Sequence, residues 1–216
     1  GSFDEMNKRI EDKLSEGFRC VKLKIGAIDF DSEMTLIKSI RKRYSKSAIE
    51  LRVDANGGFT AGDAMSRLEE LSKYDIHSIE QPIRQKQWHE MSYLCANTPV
   101  PIALDEELIG VNIPKMKDDL LDYIKPQYIV LKPTLHGGMK GTREWIEKSR
   151  ERNVDSWITS ALESSVGLSA IAQLTSDIYG NDITMAQGLG TGALFADNLP
   201  SQTEIRGDKI WMTGKK

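Results

Sequence analysis

The chain has 216 residues, 39% of them hydrophobic and 28% charged, with a formal net charge of −3 and a pI near 5.7. That length holds one large domain with a real core. The mild acidity and the scattered basic residues point away from nucleic acid and anionic membranes, and no apolar run approaches the ~20 residues needed to span a bilayer. The first residues carry no signal-peptide pattern. The two cysteines, Cys20 and Cys95, read as buried free thiols in a reducing, cytoplasmic setting.

Helical and strand patterns alternate along the chain. Phe3 to Glu16 predicts a helix with Met6, Ile10 and Leu14 on one face, and Phe18 to Ile25 a strand. Phe30 to Tyr44 follows as a helix, with Met34, Ile37 and Ile40 inward, then a strand over Ile49 to Val53. Thr60 is expected to cap a helix running to Tyr74. Strands at Ser78–Glu80 and Ile102–Leu104 flank a helix from Trp88 to Cys95. Leu120 and Leu121 end another helix, and Tyr128 to Leu131 is an apolar strand. Met139 to Arg152 reads as a helix, Ser156 to Ser160 as a strand, Val166 to Ile178 as a helix, and Ile183 to Ala186 as the last strand. The tail, residues 201–216, is expected to form a small hairpin around Gly207-Asp208, apart from a barrel domain over residues 1–200.

Strict β-α alternation argues for a parallel α/β sheet, closed as a TIM-like barrel in preference to a doubly wound open sheet. The choice rests on the strand ends. Asp54, Glu80 and Asp105 each follow a short apolar run. Lys22 and Lys24 stand on the strand before this series and Lys132 on the strand after it. Successive members lie about one βα unit apart, roughly 25–30 residues. In a parallel barrel such strand tips converge on one face.

Residues spaced i, i+2 on a strand point to the same side, so Lys22 and Lys24 would face each other's charge. Paired ammoniums lower a lysine pKa toward that of a usable general base, although Lys-x-Lys is also common on exposed strands. The three carboxylates form an all-oxygen set that favours Mg²⁺, or Mn²⁺, over zinc; singly, each reads as readily as a helix cap. Gly137-Gly138 and the run Gly188-Leu189-Gly190-Thr191-Gly192 are weak phosphate-cradle signals, and His136 reads as a loop residue.

In combination, Val53-Asp54-Ala55-Asn56, Ile79-Glu80-Gln81-Pro82, Leu104-Asp105-Glu106 and Leu131-Lys132-Pro133 resemble the barrel domain of the enolase superfamily, within its muconate cycloisomerase-like subgroup. The resemblance covers nearly the whole chain. It implies a (β/α)7β TIM-like barrel whose first strand and N-terminal capping domain are not in this sequence. Ser160-Ala161-Leu162-Glu163 and Gln187-Gly188-Leu189-Gly190 look most like the o-succinylbenzoate synthases. Dipeptide epimerases of the subgroup carry Asp-x-Asp where this chain has Gly188-Leu189-Gly190.

The resemblance implies a small carboxylate substrate, with no nucleic acid or membrane partner and a possible homo-oligomer. Asp54, Glu80 and Asp105 would hold Mg²⁺, Lys24 would be the base, Lys132 would stand opposite it, and Lys22 would depress the pKa of Lys24. Glu106 would support Lys132, and Asn56, Ser160, Glu163, Gly188 and Gly190 would line the substrate. The reaction implied is dehydration of 2-succinyl-6-hydroxy-2,4-cyclohexadiene-1-carboxylate in menaquinone biosynthesis. Alternatives are an N-succinylamino acid racemase or other cycloisomerase of the subgroup, or an inactive barrel fragment.

Overall fold

The computed structural model describes residues 3–180, 183–190, 197, 199–200 and 202–213. Helix α1 (Phe3–Ser15) leads into strand β1 (Cys20–Lys24). There follow α2 (Phe30–Arg43), β2 (Glu50–Asp54), α3 (Ala64–Ser72), β3 (Ile76–Glu80), α4 (Trp88–Asn97) and β4 (Ile102–Leu104). A 3-10 turn (Glu106–Leu108) then precedes α5 (Pro114–Ile124), β5 (Tyr128–Leu131), α6 (Gly138–Arg150), β6 (Asp155–Ile158) and α7 (Ser165–Tyr179). Strands β7 (Thr203–Arg206) and β8 (Lys209–Met212) pair as an antiparallel hairpin. No helix among the described residues is long and apolar enough to cross a membrane.

Strands β1 to β6 form one parallel sheet in sequence order. The sheet curls into a half-barrel: Arg52 of β2 lies 4.2 Å from the centroid of the Trp157 ring on β6 and donates to the Ala186 carbonyl beyond it (3.2 Å). Alternation along each strand sorts side chains between two cores. Ile102, Leu104, Ile129, Leu131 and Ile158 join the main core with the helices, whereas Ala103, Val130 and Trp157 form a second, smaller cluster with Tyr128 and Met185. Burial on both faces is why these strands read as continuous apolar runs.

Two sequence expectations are corrected. Thr60 does not cap α3: it opens a turn, accepting from Ala64 N at 3.0 Å, and the helix begins at Ala64 with Asp63 at its N-cap position. Residues 183–186 are not a strand. Only Gly188 bridges to β6, opposite Thr159. The Gln187 side chain explains this, because its Oε1 accepts the Ile158 N–H (2.7 Å) that a neighbouring strand would have taken. The cysteines are both free, but only Cys95 is fully buried; Cys20 is half-buried.

Candidate active site

The tips of β1 to β5 bring the charged residues together, and register explains how. Lys22 pairs with Arg52, Lys24 with Asp54, and Asp54 with Glu80 across neighbouring strands. Asp54, Glu80 and Asp105 are buried, at 2%, 0% and 1% exposure. Lys22 Nζ lies 2.9 Å from Glu80 Oε2 and 3.4 Å from Asp54 Oδ2. Lys132 Nζ donates to Asp105 Oδ1 at 2.7 Å. Lys24 Nζ donates to Asn56 Oδ1 at 2.9 Å, and Asn56 Nδ2 to Glu106 Oε1 at 2.9 Å.

Burial dominates the electrostatics. It pushes the Glu80 pKa up to about 7; Lys22 opposes this, while Asp54 and Asp105 add to it. Burial likewise raises Asp105 against the pull of Lys132. For Lys22, burial pulls the pKa down, but the Glu80 and Asp54 carboxylates outweigh it and the net shift is upward. The expectation that Lys22 and Lys24 form a mutually depressed pair is therefore not met at Lys22. Its neighbours are carboxylates, and Lys24 turns to Asn56 instead. Glu106 is also corrected: its bond goes to Asn56, and the ammonium of Lys132 is met by Asp105.

Among the described residues no three His, Cys, Asp or Glu side chains converge tightly enough to ring one ion. The donor set nevertheless suits a hard divalent cation chemically. Three buried carboxylates share two lysines, and Glu80 Oε1 is buried without a hydrogen-bond partner. A buried carboxylate oxygen left unmet is costly, and a bound cation would relieve that cost.

The remaining named residues lie toward β6. Ser160 is buried and its N–H donates to the Gly188 carbonyl at 3.3 Å. Glu163 is held between the loops after β5 and β6, accepting from Thr134 Oγ1 and from Ala161 N, both at 2.6 Å. Gly188 packs on Thr159: a Cβ there would fall 2.4 Å from Thr159 Oγ1, so its glycine serves close approach to β6. Gly190 is exposed, with open space around its Cα.

Sequence reasoning missed the supports. Gln81 follows Glu80 in a left-handed conformation (φ 37°) and is fully buried. Its Oε1 accepts from the amides of Asp105 and Glu107, both at 3.2 Å, and its Nε2 donates to the Ile83 carbonyl and to Glu107. Glu107 in turn accepts from Lys86 N and Trp88 Nε1. One amide thus locks the loop after β3 to the loop after β4. Gln81 lies just past β3, which already carries His77, Ser78 and Glu80, so no local pattern singled it out.

The enolase C-terminal domain-like family model matches residues 5–207. An o-succinylbenzoate synthase from Desulfotalea psychrophila is 55% identical over 202 residues, covering 94% of this chain and 54% of that protein. The crystal structure of MenC from Desulfotalea psychrophila LSv54 superposes with a TM-score of 0.91 at 52% identity, over 97% of this chain and 57% of that one. The L-Ala-D/L-Glu epimerase from Bacillus subtilis shares the fold, with a TM-score of 0.84 at 24% identity, over 100% of this chain and 59% of that one. The chain spans about half the length of the relatives it matches.

Proposed function

Since the chain belongs to the enolase C-terminal domain-like family, we propose that it is the barrel portion of a Mg²⁺-dependent o-succinylbenzoate synthase. Its substrate would be 2-succinyl-6-hydroxy-2,4-cyclohexadiene-1-carboxylate, dehydrated in cytoplasmic menaquinone biosynthesis. The observation that carries this reading is a buried carboxylate set at the ends of β2 to β4, met by Lys22 of β1 on one side and by Lys132, just past β5, on the other. The similarity to the Desulfotalea psychrophila synthase supports the choice of substrate.

Asp54, Glu80 and Asp105 would hold Mg²⁺, which when bound supplies positive charge to offset the charge developing on the substrate carboxylate. The other steps belong to the chain. Lys24 takes the ring proton α to the carboxylate, and the electron pair is delocalised as an enediolate. The enediolate collapses, the C–O bond to the ring hydroxyl breaks, and hydroxide leaves with the proton from Lys24 as water. The ring becomes aromatic, which drives the reaction. Lys132 keeps its proton and faces the developing charge from the β5 side. Asn56 orients Lys24 through its side-chain oxygen. Ser160, Glu163 and the Gly188–Gly190 turn would border the succinyl end.

A second reading is racemisation of an N-succinylamino acid. Lys24 of β1 and Lys132, just past β5, would suit removal of a proton from one face and return to the other. The test is Mg²⁺-dependent loss of the cyclohexadiene ultraviolet absorbance, on this chain and on a version extended upstream through one strand and a cap. Turnover abolished by EDTA supports the synthase. Silence in both, with N-succinylamino acid racemised, replaces it by the second reading.

A further inference from the structure

Beneath the loop after β5 lies a polar cluster that this chemistry does not use. Lys117 of α5 is fully buried; its ammonium donates to the Gly141 carbonyl (3.1 Å) and to Glu144 Oε2 (2.8 Å). His136 beside it is also fully buried. Helix α6 passes so close that a Cβ on Gly141 would lie 2.2 Å from the His136 carbonyl oxygen. The loop closes on itself. The Lys132 carbonyl accepts from Leu135 N (2.8 Å) and His136 N (3.1 Å), and the Lys132 N–H donates to His136 Nδ1 at 2.9 Å. Lys132 stands one residue past the end of β5, so its N–H needs a partner outside that strand's ladder.

That bond assigns the tautomer. A backbone N–H only donates, so Nδ1 is bare and Nε2 carries the hydrogen. Burial, with the Lys132 and Lys117 ammoniums, pushes the imidazole pKa down to about 3, so the ring stays neutral and Nδ1 remains an acceptor. Nε2 is buried and makes no hydrogen bond among the described residues. Such an orphan donor costs about 1–3 kcal/mol. An apolar side chain would avoid that cost but would strand the Lys132 amide. The ring is therefore kept for its acceptor and not for its bulk.

We propose that His136 is a positioning residue for Lys132, anchoring its backbone N–H so that the ammonium meets Asp105 and the substrate from one fixed direction. The proposal rests on reading Lys132 as the group opposite Lys24. Clamped at both its N–H and its carbonyl, Lys132 has little backbone freedom left, and its ammonium is aimed by the loop. Small misplacements of such groups are costly, on the order of 10²-fold in rate for about 1 Å.

The test compares His136→Leu, which lacks the acceptor, with His136→Asn, whose Oδ1 falls near the place of Nδ1. Kinetics are read in whichever form turns over, the chain itself or its upstream-extended version. His136→Leu should lower kcat by about 10- to 100-fold with KM within about twofold, and His136→Asn should restore most of the loss. Hydrogen exchange at the Lys132 amide should quicken by about tenfold or more in His136→Leu alone. Unchanged kcat in His136→Leu, equal losses in both variants, or unaltered Lys132 exchange would each overturn the proposal. If the wild type dehydrates no diene, the proposed activity fails separately, and the exchange comparison still decides the role of His136. Should His136→Leu not fold, His136→Gln, whose acceptor lies one methylene further out, takes its place with the same expectations.

Discussion

Lys22 spans two buried carboxylates on the next two strands, with its Nζ 2.9 Å from Glu80 Oε2 and 3.4 Å from Asp54 Oδ2. Asp54 and Glu80 are register partners, so the parallel ladder itself forces like charges side by side. Burial pushes the Glu80 pKa up to about 7; Lys22 pulls against this, and Asp54 and Asp105 add to it. Lys22→Ala should therefore destabilise the metal-free protein by about 1–3 kcal/mol, allowing for solvent screening at the partly exposed lysine. Millimolar Mg²⁺ should restore most of the loss. Thermal unfolding with and without Mg²⁺ checks this, and an unchanged melting temperature would show that the bridge contributes little.

Lys24→Ala and Lys132→Ala should each lower turnover by about 10²–10⁴-fold, the range for loss of an acid–base group. Neither lysine belongs to the proposed ligand set, so Mg²⁺ binding should persist in both. Substantial activity in either variant would remove that lysine from the mechanism.

Asp54→Asn should weaken Mg²⁺ affinity while keeping the fold, because the amide preserves shape and loses charge. Isothermal titration against the wild type gives the answer. An unchanged titration would take Asp54 out of the ligand set.

Gly188→Ala should cost about 1–3 kcal/mol by overpacking, since its Cβ would meet Thr159 Oγ1 at 2.4 Å and Cβ at 2.8 Å. Adding Thr159→Ala should recover part of the loss. Denaturant unfolding of the single and double variants measures the coupling; simple additivity would show that the contact does not exist.

His136 also sets a pH dependence. Its folded-state pKa lies near 3, against an ordinary value of 6.5. As pH falls, the unfolded chain takes up this proton first. The stability contribution is complete above about 6.5 and is lost toward pH 3, at up to about 1.4 kcal/mol per pH unit. Between pH 7 and pH 5 in urea unfolding, the wild type should lose stability relative to His136→Asn, because the opposing contribution of Glu80, whose pKa is raised to about 7, is common to both. Equal slopes would mean that the ring charges in the folded protein.

Apolar runs revealed the strands from Cys20 to Ile158 because a strand packed on both faces is mostly apolar, with few polar residues such as Arg52, Ser78 and Ser156 buried inside it. The same rule exposed Asp54, Glu80, Asp105 and Lys132 as strand-end charges. It failed at Ile183–Ala186, where the run is apolar but Gln187 has taken the ladder bond with its side chain. It also gave no hint of Gln81 or His136, whose partners lie 24 residues away at Asp105 N and four residues away across a closed loop. A hydrogen bond made by a side chain leaves no periodicity to read.

The sequence by itself determined the alternation of strands and helices, the parallel sheet, and which charged residues stand at strand tips, because burial and two-residue periodicity are properties of the chain. Only the tertiary structure decided which charge meets which. Lys22 binds Glu80 and Asp54 instead of repelling Lys24, Glu106 serves Asn56 instead of Lys132, and His136 holds the Lys132 amide. Those pairings depend on strand register and loop closure, which bring residues together across tens of positions and are fixed by packing, not by neighbours in sequence.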